Sequence, residues 1–277
     1  MVSQDELEAA AEAALAEDLG SGDLTASLIP ADKPGNATVV CRELAVLCGS
    51  AWFEAVFRRL DPNVQITWQA RDGDVLEEGQ VFCELRGNAR ALLSGERTAL
   101  NFLQLLSATA TRTRKYVNAV KGLKAAILDT RKTIPGLRHA QKYAVSVGGG
   151  KNHRTGLYDG VLIKENHIMA AGGIGAALRA AQAATPPGVI IEIEVESLAD
   201  LIEAINHGAK LVLLDNFTVD QLREAVRFAG GRAELEASGG VDIKTVRDIA
   251  ETGVDRISIG ALTKDVKAID LSMRFKI

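Results

Sequence analysis

From Lys124 onward, short apolar runs alternate with longer stretches of helical pattern, and this alternation limits the fold more than any other feature. The runs are Ala125–Leu128, Gly160–Ile163, Val189–Val195, Lys210–Leu214, Ala233–Ala237 and Arg256–Ile259. The first of them, unbroken and bounded by Gly122 and a polar cluster, fits a strand buried on both faces. Strands that alternate with helices form right-handed βαβ units and a parallel sheet. Spacings of roughly 20–30 residues suit a barrel ringed by helices, with an open doubly wound sheet as the alternative. Six strands are visible, and Tyr143–Val147 is the place left for a seventh.

The half before Gly87 reads differently. Residues 5–18 carry Leu7, Ala11 and Leu15 on one helical stripe, and Gly20 and Gly22 end it. Ala37–Cys41, Leu44–Leu47, Val64–Ala70 and Val81–Arg86 read as strands, and Ser50–Leu60 as a helix. This half is mixed α+β and contains no reactive constellation. Ser94 is the expected N-cap of a long helix over Thr98–Val120, which places Arg97 in its first turn. A cation there opposes the helix dipole, so either an anion sits nearby or Arg97 is a solvated partner of Glu96.

In a parallel α/β fold, ligands gather at the carboxyl ends of the strands. Each predicted strand delivers polar residues there. The first ends in Thr130, Arg131 and Lys132, and Pro135-Gly136 then turns the chain into a helix. The second ends in Lys164-Glu165-Asn166, and the fourth in Asp215-Asn216. The third puts Glu192, Glu194 and Glu196 on one face by its period of two. The fifth and sixth end in Ser238-Gly239-Gly240 and Ser258-Ile259-Gly260, whose glycines let a backbone approach a phosphate closely. The glycine run before Lys151 brings His153 and Arg154 toward the same end. Arg97, Arg131, Lys132, His153, Arg154 and Lys164 together make a cationic pocket, with Glu194 and Asp215 opposite. Cations suit carboxylates and phosphates, and acidic groups suit sugar hydroxyls or Mg²⁺. The set asks for polyanionic substrates, one of them a phosphorylated sugar. A structural ion-pair layer of Lys164, Glu194 and Asp215 is the competing reading; it leaves the flanking glycines unexplained.

Composition narrows the field. The chain of 277 residues carries a net charge of −4, so nothing marks it as a binder of nucleic acid. No apolar run reaches membrane-spanning length, and the acidic, Ala-rich start lacks the pattern of a secretory signal. Cys41, Cys48 and Cys83 are odd in number and lack CxxC spacing, which reads as buried free thiols in a cytoplasmic protein. No GxGxxG follows a strand, and Gly148-Gly149-Gly150-Lys151 lacks the upstream glycine of a phosphate-binding loop.

The segments Ser94–Asn101, Asp129–Arg138, Asn152-His153-Arg154, Leu162–His167, Leu214-Asp215-Asn216 and Gly260–Thr263 also resemble those of the quinolinate phosphoribosyltransferases. The likeness runs in order over nearly the whole chain. It implies an N-terminal α/β sandwich, taken as residues 1–105, and an incomplete, seven-stranded α/β barrel at 106–265, with the tail 266–277 packing back on the sandwich. It implies the conversion of quinolinate and phosphoribosyl pyrophosphate to nicotinate mononucleotide, CO₂ and pyrophosphate with Mg²⁺. It further implies a homodimer, or a hexamer of dimers, in which an arginine of the neighbouring chain enters each site; by motif that arginine is Arg97. Arg131, His153, Arg154 and Lys164 would grip the quinolinate carboxylates. Lys132, Glu194 and Asp215 would hold phosphoribosyl pyrophosphate and its metal, with Thr130 beside them. Ser238, Gly239, Gly240, Ser258, Ile259 and Gly260 would take the 5′-phosphate. Some members carry a histidine where this chain has Lys264-Asp265. Three readings stay open beside it: a related enzyme acting on another aromatic acid, an aldolase or isomerase using Lys164 or Lys132 as a Schiff base, and a non-catalytic binding protein.

Overall fold

The structure is a computed structural model and describes residues 2–276. It divides into two units, one of residues 1–112, 139–148 and 266–277 and one of residues 113–138 and 149–265.

The first unit opens with α1 (Gln4–Leu19), whose start is set by a reciprocal cap between Ser3 and Glu6. There follow β1 (Pro34–Cys41), β2 (Ala45–Val46), α2 (Ser50–Leu60), β3 (Gln65–Trp68), β4 (Val75–Leu76), β5 (Val81–Asn88) and α3 (Ala89–Ala119). β1, β5 and β3 pair antiparallel, and Phe53, Phe57, Trp68 and Phe82 stack edge-on and face-on beneath them at centroid separations of 4.9–6.2 Å. Such pairs add about 0.5–1.5 kcal/mol each beyond area burial. Helix α3 starts earlier than the sequence suggests. Asn88 at the end of β5 is its cap, its Oδ1 accepting the N–H groups of Arg90 and Ala91 at 3.0 and 3.2 Å. Ser94 therefore lies inside the helix and donates its hydroxyl to Asp23 at 2.7 Å. Arg97 sits beyond the first turn, so the dipole argument for an anion beside it falls.

The second unit is a parallel sheet of β6 (Ala126–Leu128), β7 (Gly160–Ile163), β8 (Ile190–Val195), β9 (Leu211–Asp215), β10 (Glu234–Ser238) and β11 (Arg256–Ser258), in spatial order β6-β11-β10-β9-β8-β7. Pairing of β11 with β6 brings last and first strands together, as in a barrel. Lys151 adds a single parallel bridge on the other side of β6, at Leu128. That bridge is the seventh strand position. Tyr143–Val147 is instead part of helix α4 (Arg138–Val147); its apolar residues fall at helical spacing, so a short window resembles a strand while its flanks continue the helix. Among the described residues no pairing joins Lys151 to β7, so the barrel has a seam there. Helices α5 (Glu165–Ala171), α6 (Ile174–Ala184), α7 (Leu198–Asn206), α8 (Val219–Ala229), α9 (Val246–Ala250) and α10 (Ala261–Lys264) connect the strands. Ser197 and Thr218 cap α7 and α8, so each helix begins within a few residues of its strand end.

Residues 139–148, which hold all of α4 but its first residue, group with the first unit. There Tyr143 stacks on Trp52 at 5.5 Å and donates its hydroxyl to Asp72 at 2.9 Å. The chain ends in β12 (Leu271–Lys276), antiparallel to β1. All three cysteines are free and buried, and among the described residues no helix is long and apolar enough to cross a membrane.

Candidate active site

The carboxyl end of the barrel collects most of the residues that the sequence singled out. The loop after β6 is tied to α10, which follows β11. The Lys132 N–H donates to Thr130 Oγ1 at 3.0 Å, and the buried Thr263 donates its hydroxyl to the Lys132 carbonyl at 2.7 Å. The Lys132 side chain crosses Gly260 so closely that a Cβ there would lie 3.1 Å from its Cδ, so the glycine makes room for the lysine.

Two guanidinium groups converge beside this loop. Arg154 is driven below its ordinary pKa by burial first and by the charge of Arg131 second. The Arg131 Nε is itself buried without a hydrogen-bonding partner. Arg154 donates Nη1 to the Gly160 carbonyl at 3.0 Å. Arg138 holds the pair in place: its Nε donates to Thr133 at 3.0 Å, Nη1 to the Thr155 carbonyl at 3.1 Å and Nη2 to the Arg131 carbonyl at 3.3 Å. Like charges placed side by side raise the energy of the empty protein and are offset by a ligand carrying two negative groups.

Across from them lie Lys164, Glu194 and Asp215. Lys164 Nζ sits 2.5 Å from Glu194 Oε2. The ion pair expected as a structural alternative is thus present, but Lys164 is 48% exposed, so the pair adds little stability. Asp215 is raised above its ordinary pKa by burial and then by Glu194, and eased by Lys164 and Lys132. Asn216 orients it, donating Nδ2 to Asp215 Oδ2 at 2.8 Å from a left-handed backbone with φ 57°. The neighbouring Gly239 has φ 98°, and a Cβ there would fall 2.1 Å from Asn216 Oδ1. Gly239 and Gly240 are exposed at the end of β10 and offer bare backbone. Ser258 and Ile259 are otherwise placed. Both are buried, and the Ile259 N–H is spent on the Leu128 carbonyl at 2.9 Å. Arg97 belongs to the first unit, exposed on α3.

Beneath the mouth lies a charged layer that sequence reading only half found. Glu192 on β8 and Glu236 on β10 point inward, 2% and 0% exposed. Glu192 Oε2 lies 2.8 Å from His153 Nε2, and Glu236 Oε1 lies 3.7 Å from it. Asp129 Oδ1 accepts the His153 N–H at 2.9 Å. The three acidic and imidazole groups are close enough to be metal ligands. A nitrogen and an oxygen 2.8 Å apart make a hydrogen bond, however, whereas two ligands of one tetrahedral ion lie roughly 3.3 Å apart at metal distances near 2.0 Å. The signal for Glu236 was available: Glu234-Leu235-Glu236-Ala237-Ser238 has the same period of two as Glu192-Ile193-Glu194.

Burial, then the charge of Glu192, raises Glu236 to about 7. A carboxyl whose folded pKa is raised keeps its contribution to stability below its unfolded pKa and loses it as pH climbs through the folded value. Glu236→Gln stays neutral throughout. Its unfolding free energy relative to the parent should therefore rise by about 2–3 kcal/mol between pH 5 and pH 8, measured by denaturant unfolding at both. An equal difference at the two pH values would show that Glu236 is not the titrating group.

The chain matches two family models, one after the other. Residues 23–107 match the N-terminal domain of quinolinate phosphoribosyl transferase, and residues 109–274 its C-terminal domain. The chain belongs to the quinolinate phosphoribosyltransferase family. Among the members of that family, it is similar to the probable nicotinate-nucleotide pyrophosphorylase (carboxylating) of Bacillus subtilis, 44% identical over 93% of this chain and 89% of the relative. It is also similar to the mitochondrial quinolinate phosphoribosyltransferase (decarboxylating) 2a of Nicotiana tabacum, 39% identical over 97% of this chain and 82% of that one. The solved nicotinate-nucleotide pyrophosphorylase of Francisella tularensis superposes with a TM-score of 0.96 at 46% identity, over 100% of this chain and 98% of the other. An N-terminal α+β domain followed by a helix-ringed barrel is the family's fold, and this chain has it.

Proposed function

We propose that the chain transfers the phosphoribosyl group of phosphoribosyl pyrophosphate to the ring nitrogen of quinolinate. It releases pyrophosphate and CO₂ and leaves nicotinate mononucleotide, a precursor of NAD. The observation that carries this reading is the paired guanidiniums of Arg131 and Arg154, half-buried and mutually repelling, across from the carboxylates of Glu194 and Asp215. A vicinal dicarboxylate neutralises the first pair, and a ribose carbon that gains positive charge is stabilised by the second.

Arg131, Arg154 and Lys164 clamp the two carboxylates and turn the ring nitrogen toward the sugar carbon. Holding both reactants this way removes much of the entropic part of the barrier. Departure of pyrophosphate gives the ribose oxocarbenium character beside Glu194 and Asp215. Lys132 and the backbone at Ser238, Gly239, Gly240 and Gly260 hold the phosphates. Once ribosylated, the ring nitrogen is cationic. Its charge stabilises the carbanion left on the adjacent ring carbon as the C–CO₂ bond breaks, and that carbon then takes a proton. No covalent nucleophile is needed.

Glu194 and Asp215 suit a hard divalent cation, since two adjacent carboxylates that raise each other's energy are eased by one. Mg²⁺ bound there with the substrate would neutralise the leaving pyrophosphate. We assign Arg97 to the site of a neighbouring chain in a homodimer, because it is an exposed cation on a motif-bearing helix outside the barrel unit. Three free, buried thiols suit the reducing cytoplasm.

Release of labelled CO₂ from carboxyl-labelled quinolinate tests the reading. Release should require both phosphoribosyl pyrophosphate and Mg²⁺. Transfer to nicotinate with no CO₂ release would show a related enzyme acting on another acid.

A further inference from the structure

We propose that His153 is a positioning residue, a strut that fixes the backbone of Arg154 to the buried carboxylates of Glu192 and Glu236 and does not itself touch substrate. This rests on the site assignment just given and departs from the motif-based role of His153 as a fourth group on the quinolinate carboxylates.

Donors and acceptors around the ring decide the role of His153. His153 Nδ1 accepts the N–H of Arg154 at 2.8 Å. A ring nitrogen that accepts a hydrogen bond carries no proton, so the ring proton resides on Nε2. Nε2–H points at Glu192 Oε2, 2.8 Å away, with Glu236 Oε1 next at 3.7 Å. The backbone N–H of His153 is given to Asp129 at 2.9 Å. Both ring nitrogens and the amide are thus committed within the protein. A carboxylate ligand needs an N–H from the ring, and neither nitrogen has one to spare. Protonating Nδ1 to supply it would break the bond to Arg154, the residue that the clamp depends on. The side chain is only 13% exposed, and its ring anchors Glu192 and Glu236 are 2% and 0% exposed.

The strut explains a second feature. Charged groups inside a barrel are costly without a task. Here a buried acid sets the tautomer of a histidine, which in turn fixes a loop amide. This is the arrangement by which outer carboxylates orient metal-binding histidines, with an arginine backbone in the place of the metal. The loop at 152–154 follows a run of three glycines, so it needs such a fixture to hold Arg154 beside Arg131.

The tautomer can be read in the unaltered protein. The chain has four histidines, so ¹⁵N-histidine labelling gives a short list of ring signals, and His153→Asn identifies the relevant one by its loss. We expect His153 to show a proton on Nε2 alone, before and after saturation with quinolinate. Conversion to the doubly protonated form on quinolinate binding would overturn the proposal. Kinetics give the second arm. Asparagine places an oxygen where Nδ1 was and can still accept the Arg154 N–H, so His153→Asn should keep the KM for quinolinate within about threefold of the parent. His153→Leu, which cannot accept it, should raise KM by about tenfold or more, the scale of one lost hydrogen bond to a positioned group. Equal losses in the two variants would overturn the strut, as would a Leu variant with unchanged KM. Arg131→Ala separates this from failure of the site reading: if it too leaves the KM for quinolinate unchanged, the assignment of the clamp is at fault, whatever His153 does.

Discussion

Arg131→Ala raises the KM for quinolinate roughly a hundredfold or more, with the KM for phosphoribosyl pyrophosphate moving by less than about threefold; two hydrogen bonds to a charged group at about 1.5–3 kcal/mol each account for that size. Lys132→Ala does the reverse, since Lys132 lies over Gly260 on the phosphate side. Steady-state kinetics with each substrate varied in turn decides it, and equal losses on both would mean that Arg131 is wrongly assigned. The same substitution is expected to leave the folded protein at least as stable as before. The Arg131 Nε is buried without a partner, and its charge opposes that of Arg154. Removing it relieves both costs. Loss of binding with unchanged or higher thermal stability is the signature of a residue strained for ligand.

Arg97→Ala and Arg154→Ala each abolish turnover as pure proteins, and mixing them restores it. In a dimer whose sites each take Arg97 from the opposite chain, one site of a mixed dimer has both arginines intact and the other has neither. Random exchange makes half the dimers mixed, so about a quarter of the parent activity should return. Subunit exchange by mild denaturation and refolding, followed by the CO₂ assay, gives the measurement. No recovery would place Arg97 outside any shared site.

What the sequence disclosed, and what it hid, divides along a physical line. The strands of the barrel were legible because each is a short, largely apolar run with a polar residue where it ends. The residues at those ends were legible because charge at a strand terminus has few structural excuses. The helix start at Asn88 was not, because Asn88 and Ser94 are both good caps and only the end of β5 decides between them. Lys151 was missed as a strand position because a single bridge carries no periodicity. Glu236 was passed over because its run was read for its apolar half alone. Arg138 stood in the motif without a role, since its three bonds go to backbone and hydroxyl groups that only the folded loop brings together.

The seam between Lys151 and β7 makes β7 an edge strand, and an open edge invites pairing with foreign chains. Arg154 bonds to a carbonyl of that very strand, at Gly160. In the proposed site one side chain would therefore both seat the ligand and occupy a carbonyl of that edge strand. Variants chosen to widen the range of acids accepted, if they alter Arg154, should shed solubility along with selectivity, and their losses on purification ought to be read as colloidal before they are read as catalytic.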